Sequence, residues 1–358
     1  MGRAQPDSRE AAVVAMLGGD VVALGPIRET PLDYDAFFAH RELSRLDGEA
    51  VVDGERRTWS LIEKRTEGPH LAAPYLYGNG VRELDAYRSG LFDDMPDHIH
   101  APSASGTLLE ADGAITLWIE DVRHEGPRPL DAEAVLTAAR DLGSMNGHWH
   151  GHPADEPWLF RGWIDRHGQP EAVERGLATV RRAHPEAVAR FGDRLSDIER
   201  LILAQSRVRA VLESLPHTLC HHDAVGANVF RTASATVLID WESVGPGTVG
   251  ADLASLLFSP RRGDASVHVI TSVLDEAIQA YVDGFREQVP AVSPAEIRRG
   301  VDAAIALRWK LAVDVIAGLE SGDPPRRGSL PDEPPETARE ELIELVGVLL
   351  ASADRTLG

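Results

Sequence analysis

The chain is poor in the residues that staple or anchor a protein. Among its 358 residues there is one cysteine, Cys220, so an internal disulfide and a cysteine-based zinc site are both excluded. No run of about 18 apolar residues occurs, and no membrane span is expected. The first residues, M-G-R-A-Q-P-D-S-R-E, lack the apolar core of a signal peptide, and Pro6 stands where a myristoylation pattern needs Ser or Thr. A cytoplasmic enzyme is the simplest expectation. Basic charge is also scarce. Lys and Arg total 36 against 57 Asp and Glu, a net charge of −21. That argues against nucleic acid as a partner, because such proteins present basic surface to phosphates. It suits a cationic substrate or, more simply, solubility. Lysine itself occurs twice, as Lys64 and Lys310, and asparagine three times, as Asn79, Asn146 and Asn228. Where Arg serves nearly every basic position, a retained Lys points to a site that needs a compact point charge rather than a planar fork.

What is present has the size and apolar content of two domains or one two-lobed fold. The first part reads as hairpins with few helices. A short helix over 8–18 precedes a strand from Val21 to Ile27, and Pro31 to Phe38 is irregular. Strands over 39–53 and 56–65 meet at an Asp53-Gly54 turn. The second carries Lys64. A helix over 81–92 holds Glu83, with Glu55, Glu63 and Asp85 as rival partners for a lysine. Strands follow at His98–Ala101, Gly106–Glu110 and Ile115–Glu120. From Pro127 the spacing becomes helical, starting with a helix from Leu130-Asp131 to Asn146-Gly147. His148, His150 and His152 alternate after it and read as an ordinary loop. Trp149, Trp158 and Trp163 read as core. A long helix from Pro185 is stopped by Pro216. Further helices cover 265–286, then Ser293 through Trp309 to about Leu319, and 337–353, with a Pro/Gly-rich loop over Gly322–Pro335.

The stretch from Pro216 to Asp252 carries the chemistry. His221-His222-Asp223 is followed by Asn228, then by an apolar run, Val237-Leu238-Ile239, that delivers Asp240 to a strand end. Two carboxylates and an amide presented from loops suit Mg²⁺, which takes hard oxygen ligands and keeps waters and substrate phosphates in its shell. Phosphoryl transfer also needs a carboxylate to accept the proton of an attacking hydroxyl. A zinc site from His217, His221 and His222 would satisfy zinc by ligand type, but Asn228 and Asp240 explain the stretch without it.

His221-x-Asp223-x-x-x-x-Asn228 with Ile239-Asp240, followed by Gly-x-x-Gly-x-Asp252-Leu-Ala, resembles the motifs of the aminoglycoside phosphotransferase and choline kinase superfamily, the small-molecule relatives of protein kinases. The resemblance implies an α+β, two-lobed protein-kinase-like fold. Residues 1–121 would form a small antiparallel-sheet nucleotide lobe, and 122–358 a large, mainly helical catalytic and acceptor lobe. It implies Asp223 as catalytic base and Asn228 and Asp240 as Mg²⁺ ligands. Lys64 would hold nucleotide phosphates, with Glu83 as its partner. Backbone at Glu120, Asp121 and Val122 would pair with the base of ATP or GTP. Asp252 resembles the aspartate that braces the catalytic loop, and His221 is expected to fix loop backbone. Two departures stand out: His222 replaces the family's usual Gly, and no G-x-G-x-x-G precedes Lys64. The activity implied is phosphorylation of a hydroxyl on a small molecule by a monomer or homodimer. An antibiotic-inactivating kinase for an aminoglycoside or nucleoside antibiotic comes first. A metabolic kinase for a sugar, amino alcohol or amino acid is the alternative, and a catalytically silent nucleotide binder is the reading from another class.

Overall fold

A computed structural model describes residues 8–32, 41–67, 80–258, 267–321 and 334–358. Helix α1 (Arg9–Leu17), capped by Ser8, leads to β1 (Val21–Leu24) and β2 (Arg28–Pro31). Both pair antiparallel with different halves of β3 (Arg41–Val52), which turns at Asp53-Gly54 into β4 (Glu55–Thr66). After α2 (Gly80–Ser89) come β5 (Ile99–His100), β6 (Ala104–Leu109) and β7 (Ile115–Glu120). The sheet runs β1-β3-β4-β7-β6, with β2 also on β3, and every pairing in it is antiparallel.

Strand alternation sorts the side chains of β4. Glu63 faces α1, where Arg9 Nε and Trp118 Nε1 each donate to Oε2 at 2.7 Å. Lys64 therefore faces the other side, toward α2. The remainder is mainly helical: α3 (Ala132–His148), α4 (Trp163–His167), α5 (Pro170–Arg181), α6 (Pro185–Phe191), α7 (Arg194–Leu203) and α8 (Gln205–Glu213). Short strands follow as β8 (His217–Cys220), β9 (Val229–Arg231), β10 (Thr236–Leu238) and β11 (Gly245–Thr248). Helices α9 (Ala251–Phe258), α10 (Val267–Ser272), α11 (Leu274–Gln288), α12 (Pro294–Ala306), α13 (Lys310–Ser321) and α14 (Pro335–Leu357) complete the fold.

Two of the expected helices are broken. The one from Pro185 becomes α6, α7 and α8, because Gly192 takes a left-handed φ of 52° and the chain turns again at Ala204. The one from Ser293 divides into α12 and α13 around Leu307–Trp309. The sequence shows one continuous apolar stripe in each case, and that stripe carries no mark of where the axis changes direction. Expectations for Pro31–Phe38 and the loop after Gly322 fall largely outside the described residues. None of the described helices is long and apolar enough to cross a membrane.

The main core lies around α3, α9, α11 and α12. Helices α3 and α11 meet backbone to backbone. A Cβ on Gly143 would lie 2.1 Å from Tyr281 O, and one on Gly284 2.0 Å from Arg140 O. Only glycine permits that approach, and it brings Asn146 on α3 within reach of Tyr281 on α11.

Candidate active site

Four separate segments deliver the site. Lys64 Nζ lies 2.6 Å from Glu83 Oε2 on α2 and 2.5 Å from Asp240 Oδ1 after β10. Burial pulls the Lys64 ammonium toward neutrality, but the Asp240 and Glu83 carboxylates outweigh it and hold the pKa above the ordinary value, with Arg41 opposing them. Lys64 is therefore a buried cation shared between two carboxylates. Of the rivals for its partner, Glu63 points to the opposite face of the sheet and Glu55 lies at the far end of β4.

Asp240 sits where β10 ends. Ile239 N–H donates to Asn228 O at 3.0 Å, and Asp240 then takes a left-handed φ of 67°. Asp tolerates that region better than most residues, and the turn swings its carboxylate off the strand toward Lys64. Trp241 follows, fully buried, with Nε1 donating to Leu238 O at 2.6 Å. Its ring continues a row from Tyr87 through Phe92, at centroid separations of 5.0 and 4.8 Å, that ties α2 to the Asp240 turn. Arg82, next to Glu83, is also buried. It donates to Trp158 O and Glu242 O and lies 5.2 Å over the Phe160 ring. Burial lowers its pKa to about 10, still far above neutrality.

Asp223 is half-buried in the loop between β8 and β9. Asn228 Nδ2 donates to Asp223 Oδ2 at 3.0 Å and to Asp223 O at 2.9 Å. That commits the nitrogen end of the Asn228 amide and leaves its carbonyl oxygen as the end that suits a cation. With Asp240 carrying a second hard oxygen donor one residue beyond Ile239, the residues present fit a Mg²⁺ site by donor type. The loop is fixed from beneath. His221, fully buried, donates from Nε2 to Ile239 O at 3.0 Å and accepts from Asp223 N–H at Nδ1, 3.2 Å. Asp252 Oδ2 accepts from His221 N–H at 3.0 Å and Oδ1 from His222 N–H at 2.7 Å. Asn146 Nδ2 donates to Asp252 Oδ2 at 3.1 Å and to Leu219 O at 2.9 Å. Tyr281 OH donates to Asn146 Oδ1 at 2.7 Å and accepts from Gly250 N–H at 2.9 Å.

His222 has φ 65°, the conformation that glycine adopts freely. The His222 ring is fully buried, stacked on Trp163 at 5.5 Å and edge-on to Phe160 at 6.0 Å. Beneath it β11 must be bare, since a Cβ on Gly247 would lie 2.4 Å from His222 Cε1. The donor atoms of Cys220, His222 and Asp252 gather within 4.8 Å of one another. Three features make this a braced core rather than a metal site. Both Asp252 oxygens already accept N–H groups, burial pushes the Cys220 thiol well up, and a structural zinc takes four ligands.

The expected hinge follows β7. Glu120 N–H donates to Ser103 O at 2.9 Å, and its carboxylate accepts from Ser103 N–H and Oγ, both at 3.1 Å. Asp121 accepts from Arg45 Nε at 2.9 Å and Nη2 at 3.2 Å. These side chains serve the fold, and Val122 N–H closes a tight turn onto Glu120 O at 3.0 Å, so the backbone N–H groups of both Glu120 and Val122 already have partners here. Glu120 pairs with Leu61 and Leu117 with Lys64, so the turn lies three residues, roughly 10 Å, along the strand from the lysine.

Sequence reasoning did not single out Arg41, Arg82, Glu242 or Asn146. The rarity of asparagine offered a signal for Asn146. The others are common residue types whose roles arise from tertiary contacts.

Residues 81–287 match the family model described as the phosphotransferase enzyme family. A choline/ethanolamine kinase family protein from Mesorhizobium loti has a similar fold, at 14% identity and a TM-score of 0.50, over 98% of this chain and 99% of that one. So does a protein from Ralstonia eutropha provisionally designated an aminoglycoside phosphotransferase, at 11% identity and a TM-score of 0.50, over 97% and 98% of the two chains. Comparison with curated protein sequences finds no match. With more than half its length inside the family model, the chain belongs to the phosphotransferase enzyme family.

Proposed function

We propose that the protein transfers the terminal phosphoryl group of ATP or GTP to a hydroxyl of a small molecule. The observation that carries this reading is the meeting of Lys64, Glu83 and Asp240, from β4, α2 and the turn after β10, beside a loop in which Asn228 holds Asp223. In this reading residues 1–121 are the nucleotide lobe and 122–358 the catalytic and acceptor lobe. Backbone at Glu120, Asp121 and Val122 receives the base. Lys64, kept charged by its two carboxylates, neutralises phosphate oxygens. Asp223, turned by Asn228 and fixed through His221, orients the acceptor hydroxyl and takes its proton. Asn228 and Asp240 would hold Mg²⁺, which neutralises charge on the transferred phosphoryl group. Most of the rate gain then comes from positioning and fixed charge.

The acceptor is placed first among aminoglycoside or nucleoside antibiotics, which makes the protein a resistance enzyme. Support comes from the family resemblance and from a net charge of −21, which favours a cationic molecule. The test is Mg²⁺-dependent consumption of ATP and GTP over a panel of hydroxylated antibiotics and metabolites, with Asp223→Ala in parallel. Turnover with one acceptor that vanishes in the variant supports the reading and names the substrate. Tight nucleotide binding with no turnover on any acceptor points instead to a silent binder. Unchanged antibiotic sensitivity in cells carrying the gene would remove the resistance role while leaving the kinase.

A further inference from the structure

Arg41 opens β3 and pairs with Thr66 on β4, two residues beyond Lys64. Side chains two apart on a strand share a face, so Arg41 and Lys64 lean over the same side of the sheet as diagonal neighbours. They converge on one carboxylate: Lys64 Nζ is 2.5 Å and Arg41 Nη1 3.8 Å from Asp240 Oδ1. Arg41 Nη2 also donates to Glu242 Oε2, two residues past Asp240. The Arg41, Asp240 and Glu242 side chains are each 7% exposed. Two cations thus interleave with three carboxylates, those of Glu83, Asp240 and Glu242, inside the fold. Stability alone is a poor reason for such an arrangement, because apolar residues of similar volume usually do as well as a buried ion pair.

We infer that Arg41 is a second polyphosphate-binding cation of this site. It rests on Glu242 and Asp240 and transfers to phosphate oxygens of the nucleoside triphosphate beside Lys64. The inference depends on the nucleotide reading proposed for the site. The guanidinium already spans two carboxylates with its two terminal nitrogens, and a phosphate group offers the same pair of acceptors to the same fork. Glu242 acts as a placeholder. It holds the Arg41 side chain extended, so little side-chain ordering remains to be done when phosphate arrives. This also gives the site a phosphate-directed group that needs no glycine-rich motif before Lys64.

The test uses the full chain and four variants: Arg41→Gln, Arg41→Lys, Lys64→Met and the double variant Arg41→Gln/Glu242→Gln. The double variant removes one charge of each sign, so the local charge balance is the same as in wild type, and thermal unfolding checks that it folds. Calorimetry then compares Mg²⁺ with inorganic tripolyphosphate, Mg²⁺ with ATP or GTP, and the free nucleosides adenosine and guanosine. The expected result is a loss of about tenfold or more in tripolyphosphate and triphosphate affinity for Arg41→Gln and the double variant, with Arg41→Lys between them and wild type. Nucleoside affinity stays at the wild-type value. A folded double variant that keeps wild-type affinity for tripolyphosphate overturns the inference and leaves the pair as a structural tie. The inference is equally overturned if Lys64→Met loses binding while the Arg41 variants retain it. A wild-type protein that binds neither tripolyphosphate nor ATP nor GTP overturns the nucleotide reading itself, and this inference with it.

Discussion

Lys64 and His222 show how far single side chains can be argued from shape. Lys64 contacts two carboxylates at 2.5 and 2.6 Å, a geometry for one compact ammonium. Arg carries the same charge but spreads it over a plane. Lys64→Arg is expected to lower nucleotide affinity about tenfold and, because a larger head must fit a buried site, to cost about 1–3 kcal/mol of stability, with calorimetry and urea titration as the paired readouts. His222 makes a different demand. Its ring fills the space that a side chain on Gly247 would occupy, so Gly247→Ala forces the ring or β11 to move. The expected cost is about 1–3 kcal/mol by urea titration. Adding His222→Gly should return part of it by removing the ring, the remaining cost coming from Cys220, whose Sγ would lie 2.8 Å from the new methyl. If the double variant is as unstable as the two single losses summed, the ring is not what excludes the methyl.

Between elements, the catalytic loop depends on groups that never touch a reacting atom. Asn146 on α3, Asp252 on α9 and Tyr281 on α11 form one buried chain of hydrogen bonds ending on the backbone of His221 and His222. Tyr281→Phe leaves the Asn146 carbonyl and Gly250 N–H without their partner, at about 1–3 kcal/mol. Turnover should fall with it while nucleotide affinity does not, because the perturbation reaches the Asp223 loop and not Lys64. A fall in both together would mean that the chain supports the whole fold rather than this loop. The sequence made the ends of this arrangement legible and not its middle. Asp223, Asn228 and Asp240 stand in a spaced motif, and Lys64 stands out because lysine is nearly absent. Glu83 could be ranked only against rivals, since choosing among them requires knowing which face of β4 Lys64 occupies. Arg41, Arg82 and Glu242 act through contacts spanning 76 to 201 residues of sequence, and no local pattern encodes those. Helix breaks at Gly192 and Ala204 escaped for the related reason that an apolar stripe is the same on a straight or a bent path.

Taken whole, the molecule is expected to lose stability as pH falls below neutrality. Burial pushes His222 from 6.5 to about 4, against the pull of Asp252, and burial likewise holds His167 well below its ordinary value, with Arg308 and Arg166 adding to it. Below 6.5, and for His222 down to about 4, the unfolded chain binds protons that the folded one refuses, so stability drops as pH drops through that window. Each histidine contributes a slope of up to about 1.4 kcal/mol per pH unit. Urea midpoints taken from about pH 7.5 down to about pH 5 should therefore decline. His222→Gly should flatten the decline, and an unchanged slope in that variant would show that the ring is hydrated in solution. Carboxylates held by arginine, such as Glu29 beside Arg9, weaken the fold only at lower pH, as they protonate.

Cys220 gives this protein a built-in reporter. The thiol is fully buried at the end of β8, donates weakly toward Thr248 O at 3.7 Å, and is held well above its ordinary pKa by burial and by Asp252. A protonated, enclosed thiol does not react with alkylating reagents, and the chain has no second cysteine to compete. Its alkylation rate thus measures how often β8 and the adjoining loop come apart. Slower labelling on addition of a compound would register engagement of the folded enzyme before any product has been identified, so the thiol can screen acceptors by binding alone.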